Sequence, residues 1–158
     1  MAIFYKTTIK NQILNNIGEA KKLSICIKEC FYPINNLLWC NELNLYDPLE
    51  EEQFIVNFKS SAHYSLANIK ELLDLFYINQ KLCKDYTKLE EFSYNFFKQE
   101  FHSLEKEANN TITGLKSLKT HQTTKDIRQA IKILEIIKTS ISSSHEEILM
   151  DDTHKISI

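Results

Sequence analysis

Residues that interrupt helices are scarce along the whole chain: its 158 residues include two glycines and two prolines. Sandwiches and barrels need a turn about every 8–12 residues and usually place Gly, Pro, Asn or Asp there. The scarcity therefore predicts a few long helices. Because 43% of the residues are hydrophobic, the chain can bury a core of its own. We expect one domain over residues 1–150 and a flexible C-terminal tail over residues 151–158.

Apolar residues recur every three or four positions in four stretches, which is the spacing of amphipathic helices. The first stretch ends at Tyr32-Pro33, because proline disfavours the helical state of the residue before it, and a short helix with Trp39 follows. Short loops between long helices favour antiparallel neighbours. The sequence predicts an all-α fold, an up-and-down antiparallel bundle of four long helices plus a short helix after Pro33 that caps one end.

Local signals mark some of the helix ends. Asp47 can cap a helix that begins at Pro48, and the glutamates that follow suit the positive end of the helix dipole. Gly114 is typical of a helix terminus with a left-handed glycine. Ser142-Ser143-Ser144 predicts a weakened last helix. The second long stretch is compatible with one helix or with two that meet near Ser60-Ser61.

Charge and length limit the classes of function. There are 19 basic and 21 acidic side chains, and a single arginine, Arg128, so the composition argues against binding to nucleic acid. The abundant lysines indicate an AT-rich genome. No secretory signal or membrane-spanning stretch is seen, so the four cysteines predict thiols in a reducing cytoplasm. One alternative keeps nucleic acid, with a small helical subunit that binds it through lysines. These are Lys116, Lys119, Lys125 and Lys132.

Cysteines provide the candidate metal ligands. Cys26 and Cys30 are four residues apart on one predicted helix, and Cys40 or Cys83 could complete a thiolate site for a metal. The competing interpretation is that they are small buried hydrophobic residues, because the usual two-residue spacing of structural metal sites is absent. We therefore expect no cofactor, and a metal- or small-ligand-binding bundle remains an alternative.

Aromatic residues are concentrated in one segment of sixteen residues. They are Tyr86, Phe92, Tyr94, Phe96, Phe97 and Phe101. One helical stripe cannot hold so many, so this helix is either buried on two sides or exposes an apolar patch. A homodimer that buries the surplus is a further alternative.

No catalytic signature is found, so we do not expect an enzyme. The sequence instead favours a protein–protein interaction module of the adaptor, inhibitor, immunity or host-directed effector type. It would present an apolar helical face, and interface cores are enriched in aromatic residues. The candidate contact residues are Trp39, Phe97 and Phe101.

Overall fold

The computed structural model describes residues 2–43, 45, 47–118 and 125–156, and the side chains of residues 5–43, 45, 47, 49–118 and 125–151. This part of the chain is almost entirely helical and contains no strand, which confirms the predicted all-α bundle. Its helices are α1 (Ala2–Glu29), α2 (Tyr32–Glu42), α3 (Pro48–Ala62), α4 (Ser65–Cys83), α5 (Glu90–Lys116) and α6 (Lys125–Ile156), with a 3-10 turn (Thr87–Leu89) before α5. No helix in it combines the length and apolar character needed to cross a lipid bilayer.

α1 and α2 form one broken segment that runs along α5. Ser24 of α1 hydrogen-bonds Glu100 of α5, and Thr111 of α5 hydrogen-bonds Asn35 of α2. In both pairs the α5 residue comes 76 residues later in the sequence. Because this separation is the same before and after the break, α1 and α2 both run parallel to α5. The short helix after Pro33 therefore extends the bundle lengthwise, whereas the sequence predicted a cap across its end.

α3 and α4 form a second broken segment, which follows α6. Lys59 of α3 hydrogen-bonds Gln129, and Tyr77 of α4 hydrogen-bonds Glu147, with a sequence separation of 70 residues in both pairs. The prediction left open one helix or two; the structure shows two, interrupted at His63 and Tyr64. The bundle thus consists of four lengthwise segments, two broken and two continuous.

A buried polar network fixes the antiparallel register of α1 and α4. The Nδ2 atom of Asn79, which is fully buried, lies 3.3 Å from the Ile13 carbonyl oxygen and 3.2 Å from Ser93 Oγ. Asn16 donates to Asn79 Oδ1 at 2.9 Å. These bonds satisfy an amide that would otherwise be costly to bury, and they are lost if either helix slides.

The helix ends agree with the sequence signals at one site and differ at two others. Asp47 accepts a hydrogen bond from the Leu49 amide at 2.9 Å, so it caps α3 as predicted. Gly114 lies inside the last turn of α5, which continues to Lys116. α6 runs through the three serines at 142–144 and on to Ile156, because Ser144 and Ile148 both face the core. α6 therefore extends into the predicted tail. Residues 157–158 of that tail lie outside the described chain.

Candidate functional site

Phe97 and Phe101 belong to the core. Both side chains are fully buried, and the Phe97 ring packs edge-on against Phe76 of α4 at a centroid distance of 5.7 Å. They therefore cannot form part of a surface that receives a partner, and this corrects their assignment as contact residues. The aromatic side chain that α5 does expose is Phe92, on a different face of the same helix.

The cysteines proposed as metal ligands are not brought together. Cys26 is exposed on α1, whereas Cys30 is buried beside Ser65 at the beginning of α4. Cys83 is buried at the other end of α4, about 27 Å away along that helix at 1.5 Å per residue. Burial raises the pKa of the Cys30 thiol, which disfavours the thiolate that binds metals. No group of three metal-binding side chains occurs within the described residues.

The described lysines of the nucleic-acid alternative lie at the end of α5 and on α6. Lys116 lies 2.9 Å from Glu135, and Lys125 and Lys132 are exposed on α6. Lys119 lies outside the described residues. α6 also has two adjoining surface grooves that share Glu135 and Thr139, of about 510 and 410 Å³. Their walls mix both charges with hydroxyl groups, and Ile136 is the apolar residue of the smaller groove.

α2 carries large apolar side chains on both of its faces. Ile34 and Leu37 point into the bundle and are buried. On the opposite side, Tyr32, Trp39 and Leu43 leave 52, 62 and 50% of their surfaces exposed. Their spacing of seven and four residues places them on one stripe of the helix, which we call the outer face of α2. Asn35 and Asn36, which are also exposed, lie between Tyr32 and Trp39 in the sequence. This face has no neighbour within the described chain.

The loop after α2 extends the apolar surface around the end of the bundle. The Leu45 amide donates to the Cys40 carbonyl at 2.9 Å, which folds the chain back over the last turn of α2. Leu45 is nevertheless exposed, and so is Leu49 in the first turn of α3. Large apolar side chains therefore remain in water on both sides of the Asp47 cap.

Acidic residues are frequent in the sequence on both sides of α2. Between Lys28 and Lys59 the chain has six of its 21 acidic residues and none of its 19 basic ones. Glu29 precedes Tyr32 by three residues, Glu42 is next to Leu43, and both are exposed. Lys28 is next to Glu29, and Lys116 ends α5 two residues after Gly114, so the surroundings of α2 carry both signs of charge.

Sequence periodicity identified Trp39 but missed its neighbours on the outer face. Tyr32 and Leu43 could have been found by counting the apolar residues on both faces of α2. A helix of three turns is long enough to assign its apolar residues to two stripes. The sequence also shows that the thirty residues between Lys28 and Lys59 contain no lysine. The chain matches no protein-family model, no curated protein and no solved structure.

Proposed function

We propose that this protein is a non-enzymatic interaction module that binds a segment of another protein on the outer face of α2. The observation that carries the proposal is the exposure of Tyr32, Trp39 and Leu43 on one stripe of a helix whose other face is already buried. Tryptophan and tyrosine are the residue types that dominate binding energy in protein interfaces. The face thus has the composition of an interface core.

The apolar area of this face is large enough to support binding. Fully burying a large apolar side chain contributes about 1.5–3 kcal/mol, and aromatic side chains bury the largest areas. The three side chains of the face, each about half exposed, offer a few kcal/mol in total before the costs of association are subtracted. This is the range of a modest, reversible interaction that neighbouring contacts can strengthen.

Charge favours a different protein over a second copy of this chain as the occupant. In a two-fold dimer the same patch meets itself, so Glu29 and Glu42 of one copy would approach the same residues of the other. Like charges facing each other across an interface oppose association. We therefore assign the face to a partner of another sequence.

The test compares substitutions at three exposed apolar positions. The full chain is tagged and used to isolate partners from its own cells, and each partner is then purified and titrated against Trp39→Ala, Leu43→Ala and the control Ile136→Ala. Ile136 is 56% exposed and lies on a different helix, α6, so it matches Trp39 in exposure. We expect Trp39→Ala to weaken binding by more than about tenfold, and Ile136→Ala to leave it unchanged.

Two results would contradict the proposal. If the partner binds Trp39→Ala and Leu43→Ala as tightly as it binds the wild type, the outer face of α2 is not the contact surface. If sedimentation instead shows a dimer of this chain that Trp39→Ala dissociates, the occupant is a second copy. Circular dichroism of each variant serves as the control for folding, since both side chains lie on the surface.

A further inference from the structure

We propose that His102 of α5 and His145 of α6 together bind a divalent transition-metal ion such as Zn²⁺ or Ni²⁺, with Glu105 orienting the His145 ring. The site lies where α5 and α6 meet and does not involve α2. The inference is therefore independent of the proposed function.

The antiparallel packing of α5 and α6 brings the two histidines together. Lys116 lies 2.9 Å from Glu135, and Glu105 lies 3.5 Å from His145, so residue numbers rise along α5 as they fall along α6. His102 comes one helical turn before Glu105, on the same side of α5. The ring centroids of His102 and His145 are 5.9 Å apart. Two imidazoles from different helices therefore lie next to each other.

This separation suits two imidazoles that share one ion. Metal–nitrogen bonds are about 2.0–2.1 Å long, so two imidazoles bound at a tetrahedral angle have ring centroids about 5.3 Å apart. The two ring planes are inclined by 57°, so the rings are not stacked on each other. His102 is exposed, and a small rotation of its side chain closes the remaining difference.

Glu105 has the position of an orienting carboxylate. Its Oε2 atom lies 3.5 Å from His145 Nδ1, and the His145 side chain is 12% exposed, so neighbouring atoms confine the ring. A histidine that binds a metal through one ring nitrogen usually donates the other N–H to a carboxylate or a carbonyl. Because Glu105 lies beside Nδ1, Nε2 is the nitrogen left for the ion.

Two side-chain ligands define the class of ion. No group of three metal-binding side chains occurs within the described residues, so two imidazoles hold the ion and water fills its other positions. Imidazole suits Zn²⁺, Ni²⁺ and Cu²⁺, whereas Mg²⁺ and Ca²⁺ prefer oxygen ligands. The site should therefore bind the first group and not the second.

The exposed charges around the two histidines have both signs. Lys98 and Lys106 lie four residues before and after His102, and Glu146 follows His145. All three are exposed, and water and salt screen such charges. Binding must therefore come from the two ring nitrogens themselves, and the experiment removes them one at a time.

The test is a calorimetric titration of the metal-free full chain with Zn²⁺, with Ni²⁺ and with Mg²⁺. We expect Zn²⁺ and Ni²⁺ to bind and Mg²⁺ not to bind. His102→Ala and His145→Ala should each weaken binding by about tenfold or more, and Glu105→Gln by about tenfold. The controls His63→Ala and Cys26→Ser remove an exposed imidazole and an exposed thiol from other helices, and they should leave the affinity unchanged.

Thermal unfolding provides a second measurement. An ion that binds the folded state raises the midpoint of unfolding, so Ni²⁺ should raise it in the wild type and much less in His102→Ala. The His102 side chain is exposed, so this variant should keep the fold, and circular dichroism checks that it does.

Three results would contradict the proposal. If neither Zn²⁺ nor Ni²⁺ binds, the two histidines do not form a metal site. If His102→Ala and His145→Ala bind as tightly as the wild type, or if a control variant loses as much affinity as they do, the ion lies elsewhere. If Glu105→Gln alone has no effect, the orienting role of Glu105 is wrong and the two-histidine site stands.

Discussion

Gly114 of α5 lies directly against Leu38 of α2, so that a Cβ atom on Gly114 would stand 2.6 Å from Leu38 Cδ1. This close approach explains a glycine inside a helical turn, where it otherwise costs about 0.5–1 kcal/mol relative to alanine. The contact between Gly114 and Leu38 places the inner side of α2 against the bundle. The outer face with Trp39 is thereby held in a fixed position.

Two glycine substitutions should have different effects on stability. A Cβ on Gly18, in the middle of α1, meets nothing within 4 Å, so Gly18→Ala should raise the free energy of unfolding by about 0.5–1 kcal/mol. Gly114→Ala should gain less or lose stability, because Leu38 must move. Urea denaturation of both variants is the measurement, and Leu38→Ala should remove the difference between the two sites. Equal gains at both glycines in the presence of Leu38 would contradict this prediction.

Asn79→Ala should destabilise the fold by about 1–3 kcal/mol, because it removes partners from the Ile13 carbonyl and the Ser93 hydroxyl in a buried place. The exposed Asn110→Ala on α5 is the control for losing an asparagine side chain from a helix. Both free energies can be obtained from denaturant titrations monitored by circular dichroism. A cost at Asn79 no greater than that at Asn110 would show that the network does not contribute to stability.

Glu51 should make the protein less stable as the pH rises. Only 3% of the residue is exposed, and neither carboxylate oxygen has a hydrogen-bond partner among the residues that the structure describes. Burial, and to a lesser extent the charge of Asp126, raise its pKa above the ordinary value of 4.5. The folded state therefore holds this proton more tightly than the unfolded state does. The contribution of Glu51 to stability should fall as the pH rises from about 4.5 through the raised pKa of the folded state.

Glu51→Gln removes this titration. We expect the variant to be more stable than the wild type by about 1 kcal/mol at neutral pH, and equal to it near pH 4. Thermal unfolding across this pH range measures the difference. Glu52→Gln, at the exposed neighbouring position, is the matched control for the loss of one negative charge. A stability difference between Glu51→Gln and the wild type that is the same at both pH values would contradict the assignment.

Tyr77 should ionise late in an alkaline titration. Burial raises its pKa to about 12, with further contributions from its hydrogen bond to Glu147 at 3.0 Å and from the charges of Glu147 and Asp151. The difference in absorbance at the phenolate band between wild type and Tyr77→Phe, recorded by rapid mixing, isolates this phenol. Its midpoint should lie near pH 12 and move down in Glu147→Gln.

The same shift bears on stability at high pH. Because the folded state retains the Tyr77 proton up to about pH 12 and the unfolded state releases it near pH 10, the contribution of this residue to stability should decline between these values. Tyr77→Phe should lack that decline. A midpoint near pH 10 in the folded protein would show that Glu147 and burial do not act on this phenol.

The sequence by itself determined the helices. Apolar spacing and the Asp47-Pro48 start depend on neighbouring residues, so local physics is enough to predict the helical segments. The same spacing could not decide which face of a helix is buried. α5 has aromatic residues on two faces, and only the packing of Phe97 against Phe76 shows which one meets the neighbours.

Tertiary structure alone decided the candidate site. The break after α3, the distance between Cys30 and Cys83, and the direction of α2 depend on contacts between segments that are far apart in the sequence, such as Gly114 with Leu38. Trp39 is exposed because α2 buries its opposite side. Periodicity gives two apolar stripes on that helix, and it is the position of α5 and α3 beside it that leaves one of them in water.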